Sequence, residues 1–143
     1  MSLGESWCIN GVKEILKLSF GGTSATEKTE FFFFSNDVTP SSGVVSGDLT
    51  EIGTSTGLGR KELVKSQWSA ANTVVGTSTV VYVQYNGTIG LAFTLSSTAT
   101  MYGYAIRGQT SGAVYYVKNV GSHSFSAGDV YTVSPIKMQM EMI

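Results

Sequence analysis

Cysteine occurs once, at Cys8, so no intrachain disulfide can form and a disulfide-stapled secreted scaffold is excluded. Histidine also occurs once, at His123, which removes most metal-binding and triad designs. Charged residues are scarce at 13%, about half the usual share. Nine Lys and Arg stand against ten Asp and Glu, a net charge of −1, and no basic run or arginine stripe appears. Without a positive footprint, no nucleic-acid partner is expected. No apolar run approaches the roughly 18 residues of a spanning helix, so no membrane partner is expected either. Met1 to Cys8 has neither a basic n-region nor an apolar h-region, which sets the expectation of a protein made in the cytoplasm.

Apolar residues are plentiful, at 42% of 143 residues. That suits one folded domain, expected to span residues 1–143, with a core of useful size. Ser, Thr and Gly take the place of charge, so the surface is polar but repels other copies weakly. The organising stretch is Tyr82 to Val133. Apolar runs rich in Val, Ile, Tyr and Phe are separated there by short Gly, Ser, Asn and Asp clusters, the spacing of a compact antiparallel β-domain. The expected fold is mainly β: an antiparallel, jelly-roll-like β-sandwich with one short N-terminal helix.

That helix is predicted over Glu5 to Phe20. Cys8, Val12, Ile15 and Leu16 give one apolar face, and Gly21-Gly22 ends it. Residues 1–22 are then a helical segment packed on the sandwich. Phe31 to Phe34 do not alternate, which predicts a core strand covered on both faces. Asn36 to Gly47 reads as a loop turning at Pro40-Ser41-Ser42-Gly43. Asp48 to Arg60 reads as a long surface loop, Lys61 to Ser66 as a strand leading to Trp68, and Asn72 to Thr77 as a loop or short strand. Asn86-Gly87 predicts a type I′ hairpin between Thr79–Tyr85 and Thr88–Leu95. Met101–Arg107 and Ala113–Val117 form the next pair, around Gly108 to Gly112. Ala127-Gly128-Asp129 is a tight turn into Val130 to Val133. Ile136 to Met142 alternates apolar and polar, as a half-buried strand does.

Catalytic chemistry finds little to stand on. His123 with Asp129 and any serine has no constraining spacing, and a surface turn accounts for the histidine more simply. Cys8 and His123 lack ligand spacing for a metal. The loop acids Asp37, Asp48, Glu51 and Asp129 do not form a calcium-loop pattern. The glycines sit between strands, not in a phosphate-cradling position before a helix. No catalytic residue, metal or cofactor is therefore expected. Met138, Met140 and Met142 read either as adaptable core filling or as a plastic contact surface.

Tyr104-Ala105-Ile106-Arg107, Ser111-Gly112-Ala113-Val114-Tyr115-Tyr116 and Phe125-Ser126-Ala127-Gly128-Asp129-Val130 carry a resemblance. Their strand–turn–strand order is similar to the C-terminal half of small tailed-bacteriophage virion structural proteins, of tail-fibre-like or capsid-decoration type. A helix at Trp7 to Leu18, the strand Phe31 to Phe34, the loop Ser35-Asn36-Asp37-Val38-Thr39-Pro40 and Trp68 follow the same order more loosely. Where the family often has Gly-Tyr-x-Arg, this chain has Gly57-Leu58-Gly59-Arg60. The resemblance implies a non-enzymatic virion protein, made in the host cytoplasm. Its short length and lack of a shaft repeat favour a capsid decoration (cement) protein that binds and stabilises the head shell. The expected partners are the major capsid protein and other copies of the chain, as a homo-oligomer such as a trimer. A tail or tail-fibre-associated protein, partnered by tail proteins, is the alternative. A carbohydrate-binding β-sandwich is a third reading, requiring an exposed platform from Tyr102, Tyr104, Tyr115 and Tyr116. The expected interface residues are Leu3, Trp7, Tyr102, Tyr104, Met138, Met140 and Met142.

Overall fold

A computed structural model describes residues 4–7, 28–63, 68–76, 78–85, 92–133 and 136–142. The described chain is mainly β and antiparallel throughout. Its strands are β1 (Gly4–Trp7), β2 (Thr29–Phe34), β3 (Lys61–Leu63), β4 (Trp68–Val75), β5 (Ser78–Tyr85), β6 (Ala92–Thr94), β7 (Ala99–Gly108), β8 (Val114–Phe125), β9 (Val130–Thr132) and β10 (Lys137–Met142). A five-stranded sheet has the order β1-β8-β7-β2-β3, a three-stranded sheet the order β10-β5-β4, and β6 with β9 makes a two-stranded ribbon.

The phenylalanine run explains the larger sheet. β2 lies between β7 and β3, and all four of its phenylalanines are buried. Side chains alternate across a strand, so the run feeds two cores. Phe31 and Phe33 join Phe93, Leu95, Met101, Tyr104 and Ile106 on one face. Phe32 and Phe34 join Val44, Leu49, Ala105, Val114 and Val117 on the other. On the first face the rings meet edge-on, with Phe31 and Phe33 at 5.1 Å and Phe33 and Phe93 at 4.7 Å between centroids. Such geometry sets the positive edge of one ring against the negative face of the next.

β8 sends two consecutive tyrosines to the same side. Its register with β7 slips between Ile106 opposite Tyr116 and Arg107 opposite Val114. Tyr115 is the extra residue of this bulge. Tyr115 and Tyr116 therefore both enter the first core, while Val114 and Val117 flank them in the second.

The segment after β2 closes a loop over the second core. Asn36 spans its base, its amide donating to the Asp48 carbonyl at 2.8 Å and its side-chain oxygen accepting from the Thr50 N–H at 2.8 Å. Val44 and Leu49 are buried beneath the loop, and Val45 stays exposed. The stretch beyond it holds a 3-10 turn at Thr54–Thr56 and buries Ile52 and Leu58, so it packs more closely than the surface loop expected there.

Two of the expected pairings and elements change. Glu5, Ser6 and Trp7 belong to β1, paired with Lys118, Val117 and Tyr116 of β8, instead of opening a helix. The remainder of the expected helix lies outside the described residues, and among those described no helix reaches seven residues. Of the two alternatives for Asn72 to Thr77, loop or short strand, the strand holds for Asn72 to Val75: it is the end of β4, which pairs with β5 without a break from Trp68 opposite Tyr85 to Val75 opposite Ser78. The hairpin turn is therefore at Gly76, where φ is 63°, a conformation glycine adopts without steric cost. Among the described residues the expected partnership of Thr79–Tyr85 with Thr88–Leu95 is replaced by others, and residues 88–91 lie outside the described set. β5 is bonded to β4 and β10 on its two sides, and β6 pairs with β9; Asn86-Gly87 itself lies outside the described residues.

Candidate functional site

The densest polar group among the described residues is built on Glu30, the residue before the phenylalanine run. Antiparallel pairing sets Glu30 opposite Arg107 of β7. The Arg107 Nε donates to Glu30 Oε1 at 2.7 Å, and its Nη2 donates to Glu51 Oε1 at 2.7 Å. Glu51 is fixed by an isolated bridge to Phe34 and also accepts from Arg60. Arg60 completes the set with a 3.9 Å approach to Glu30. The Arg107 guanidinium also covers the Phe32 ring at 4.1 Å.

Chemically this is a clamp. Burial raises the pKa of the Glu51 carboxyl, but hydrogen bonds from Arg60 and Arg107, with their charges, outweigh it and hold the pKa below the ordinary value. The same bond, donated by Arg60 to Glu51, raises the Arg60 pKa. A carboxylate pinned by two guanidiniums is a poor general base. Nothing in the spacing of Glu30, Glu51, Arg60 and Arg107 marks them in sequence, because the β2–β7 register and the packing of the segment after β2 bring them together.

The sequence-predicted positions are scattered. Leu3 lies outside the described residues. Trp7 is on β1, opposite Tyr116, at the edge of the larger sheet. Met138, Met140 and Met142 are on β10, opposite Val83, Val81 and Thr79, at the edge of the smaller sheet. Tyr102 is partly buried against the second core. Tyr104 is a correction: it is 3% exposed and packs 5.1 Å from Phe31, so it belongs to the core and not to a surface contact. Tyr115 and Tyr116 are buried with it, which removes three of the four rings on which a sugar platform would depend.

His123 and Asp129 have separate engagements. The His123 ring shares a 2.9 Å hydrogen bond with the Gly121 carbonyl, lies near Phe125 and Tyr131, and is exposed on β8. The Asp129 carboxylate accepts from the Ser126 N–H at 2.8 Å and closes its own turn. Among the described residues no group of three or more His, Cys, Asp or Glu could hold a metal ion.

Asn119 is a site that sequence reasoning missed. It is 2% exposed, and its amide donates to Asp37 Oδ1 at 2.7 Å and to the Val38 carbonyl at 3.0 Å. Its oxygen accepts from the Gly121 N–H at 2.8 Å. One buried amide thus ties β8 to the loop after β2. Among the described residues no buried side-chain nitrogen or oxygen lacks a partner. No protein-family model matches the chain, and a search of curated proteins found no similar sequence.

Proposed function

We propose that this chain is a structural protein of a tailed-bacteriophage virion, and specifically a decoration protein that binds and stabilises the head shell. The observation that carries the reading is where β1 and β10 lie. Among the described residues each has one strand neighbour, β8 for β1 and β5 for β10. A strand with one free side offers backbone donors and acceptors to a neighbouring chain. Trp7 on β1 and the methionines on β10 add residue types suited to contact. Low charge lets many copies sit side by side. The Arg–Glu clamp supports a role in contact over catalysis, because its charges are spent on one another.

The fold reading goes with this. The two sheets are layers of one antiparallel sandwich, jelly-roll-like in form. In support, Ile136, which leads into β10, is buried in the same cluster as Phe31 and Phe33 of β2. Particle density, with copies counted by quantitative mass spectrometry, tests the proposal. Hundreds of copies on the head shell are expected. A handful at the tail would instead assign the chain to the tail or tail fibre. Absence from particles would overturn both assignments.

A further inference from the structure

We propose that β10 pairs with β10 of a second copy of this chain, antiparallel, about a two-fold axis through Gln139. β10 is bonded to β5 along its whole length, from Lys137 opposite Gln84 to Met142 opposite Thr79, with no register shift. Among the described residues nothing pairs with its other side. The strand has no proline and no bulge, two of the devices that blunt an edge.

The order of residues in β10 selects the partner and the register. A two-fold axis perpendicular to a sheet keeps each residue on its own face. Opposed residues must then have numbers of the same parity, because side chains alternate along a strand. With the axis at Gln139, Lys137 of each copy stands opposite Glu141 of the other. Met138 stands opposite Met140, and Gln139 opposite Gln139. Both charges are met, and every apolar residue of these pairs meets an apolar one. An axis at Met140 puts Glu141 opposite Gln139 and leaves Lys137 without an acid. An axis at Met138 puts Lys137 opposite Gln139. In-register parallel pairing would set Lys beside Lys and Glu beside Glu. The other open edge of the sheet, β4, reads Trp-Ser-Ala-Ala-Asn-Thr-Val-Val and carries no charge to choose a register.

The product is a continuous sheet running β4-β5-β10 and then β10-β5-β4 across the axis. It does not depend on the virion reading, since it needs only two copies in solution. Sedimentation equilibrium of the full chain at low salt tests it, on wild type, Lys137→Glu, Glu141→Lys and the double variant. Circular dichroism establishes that each is folded. Wild type is expected to dimerise reversibly, and more weakly as salt screens the paired charges. Each single variant sets like charges opposite one another twice per dimer, and should weaken association about tenfold. The double variant exchanges the charges and should restore wild-type affinity. A monomer at every concentration overturns the proposal. So does a dimer indifferent to salt and to the single variants, which would point to β4, or a double variant as weak as the singles. Should a single variant fail to fold, the salt dependence of wild type and the affinity of the double variant decide.

Discussion

The Arg107 guanidinium carbon lies 4.1 Å from the centroid of the Phe32 ring, so a cation caps the aromatic core of the neighbouring strand. The same group bonds Glu30 and Glu51, and the side chains of Arg107 and Glu30 are each only 11% exposed. Arg107→Met keeps the apolar stem but leaves two acids without their shared partner. Its expected cost is about 3 kcal/mol, the range for breaking a mostly buried pair from one side. Arg107→Lys should recover only part of this, because an ammonium cannot repeat the planar fork that serves both acids. Urea unfolding of the two variants checks the order.

Acid should loosen this clamp. The folded-state pKa of Glu51 is depressed below its ordinary 4.5, so the unfolded chain takes up its proton first as pH falls. The stabilisation is then fully present above the unfolded value and is lost as pH falls through the folded one. Urea midpoints from pH 7 to 3 should show a loss below about pH 4.5 that is smaller in Glu51→Gln. A variant with the wild-type acid profile would show that Glu51 does not contribute.

Some of this architecture is legible in the residues and some is not. Phe31 to Phe34 announce a strand buried on both faces, because four large apolar residues in a row leave no polar face. The turns at Gly108–Gly112 and Ser126–Asp129 are local chemistry, and the structure closes both with short hydrogen bonds. Strand partners are not local. Asn86-Gly87 favours a tight turn, yet β5 finds its partners in β4 and β10. β4 hides because Ala, Ser and Asn dilute its β-forming residues, so composition there resembles a loop. The clamp was invisible for the same reason: Glu30 and Arg107 are 77 positions apart and meet only through the β2–β7 register.

Gly103 marks where β8 crowds β7. A Cβ there would lie 2.0 Å from the Lys118 carbonyl oxygen and 2.6 Å from Cζ of Phe34. The first neighbour is backbone in a paired strand and cannot swing aside. Gly103→Ala should therefore cost about 3 kcal/mol, the upper range for overpacking a core. Gly43→Ala is the control, since nothing lies within 4 Å of its Cβ position, and it should change stability by less than about 0.5 kcal/mol. Equal denaturation midpoints for the two variants would rule out the close β7–β8 approach.

Asn119 offers the sharpest test of how the loop is held. Asn119→Ala leaves the buried Gly121 N–H without its acceptor and takes the amide away from the Asp37 and Val38 oxygens, at an expected cost of about 2 kcal/mol. Asn119→Asp separates hydrogen bonding from simple packing. It preserves shape and an acceptor for Gly121, but it turns a carboxylate toward Asp37 Oδ1, where the amide now stands at 2.7 Å. Two acids at that distance cannot both stay ionised without strain, so one takes up a proton at a raised pKa. A raised folded-state pKa makes the variant's deficit largest at neutral pH. The deficit should shrink as pH falls through the folded-state pKa toward the unfolded value. Thermal or urea unfolding of wild type and variant at pH 7 and pH 4 should show that convergence. A deficit that does not change with pH would mean that Asp37 does not face Asn119, and that the loop is held without that contact.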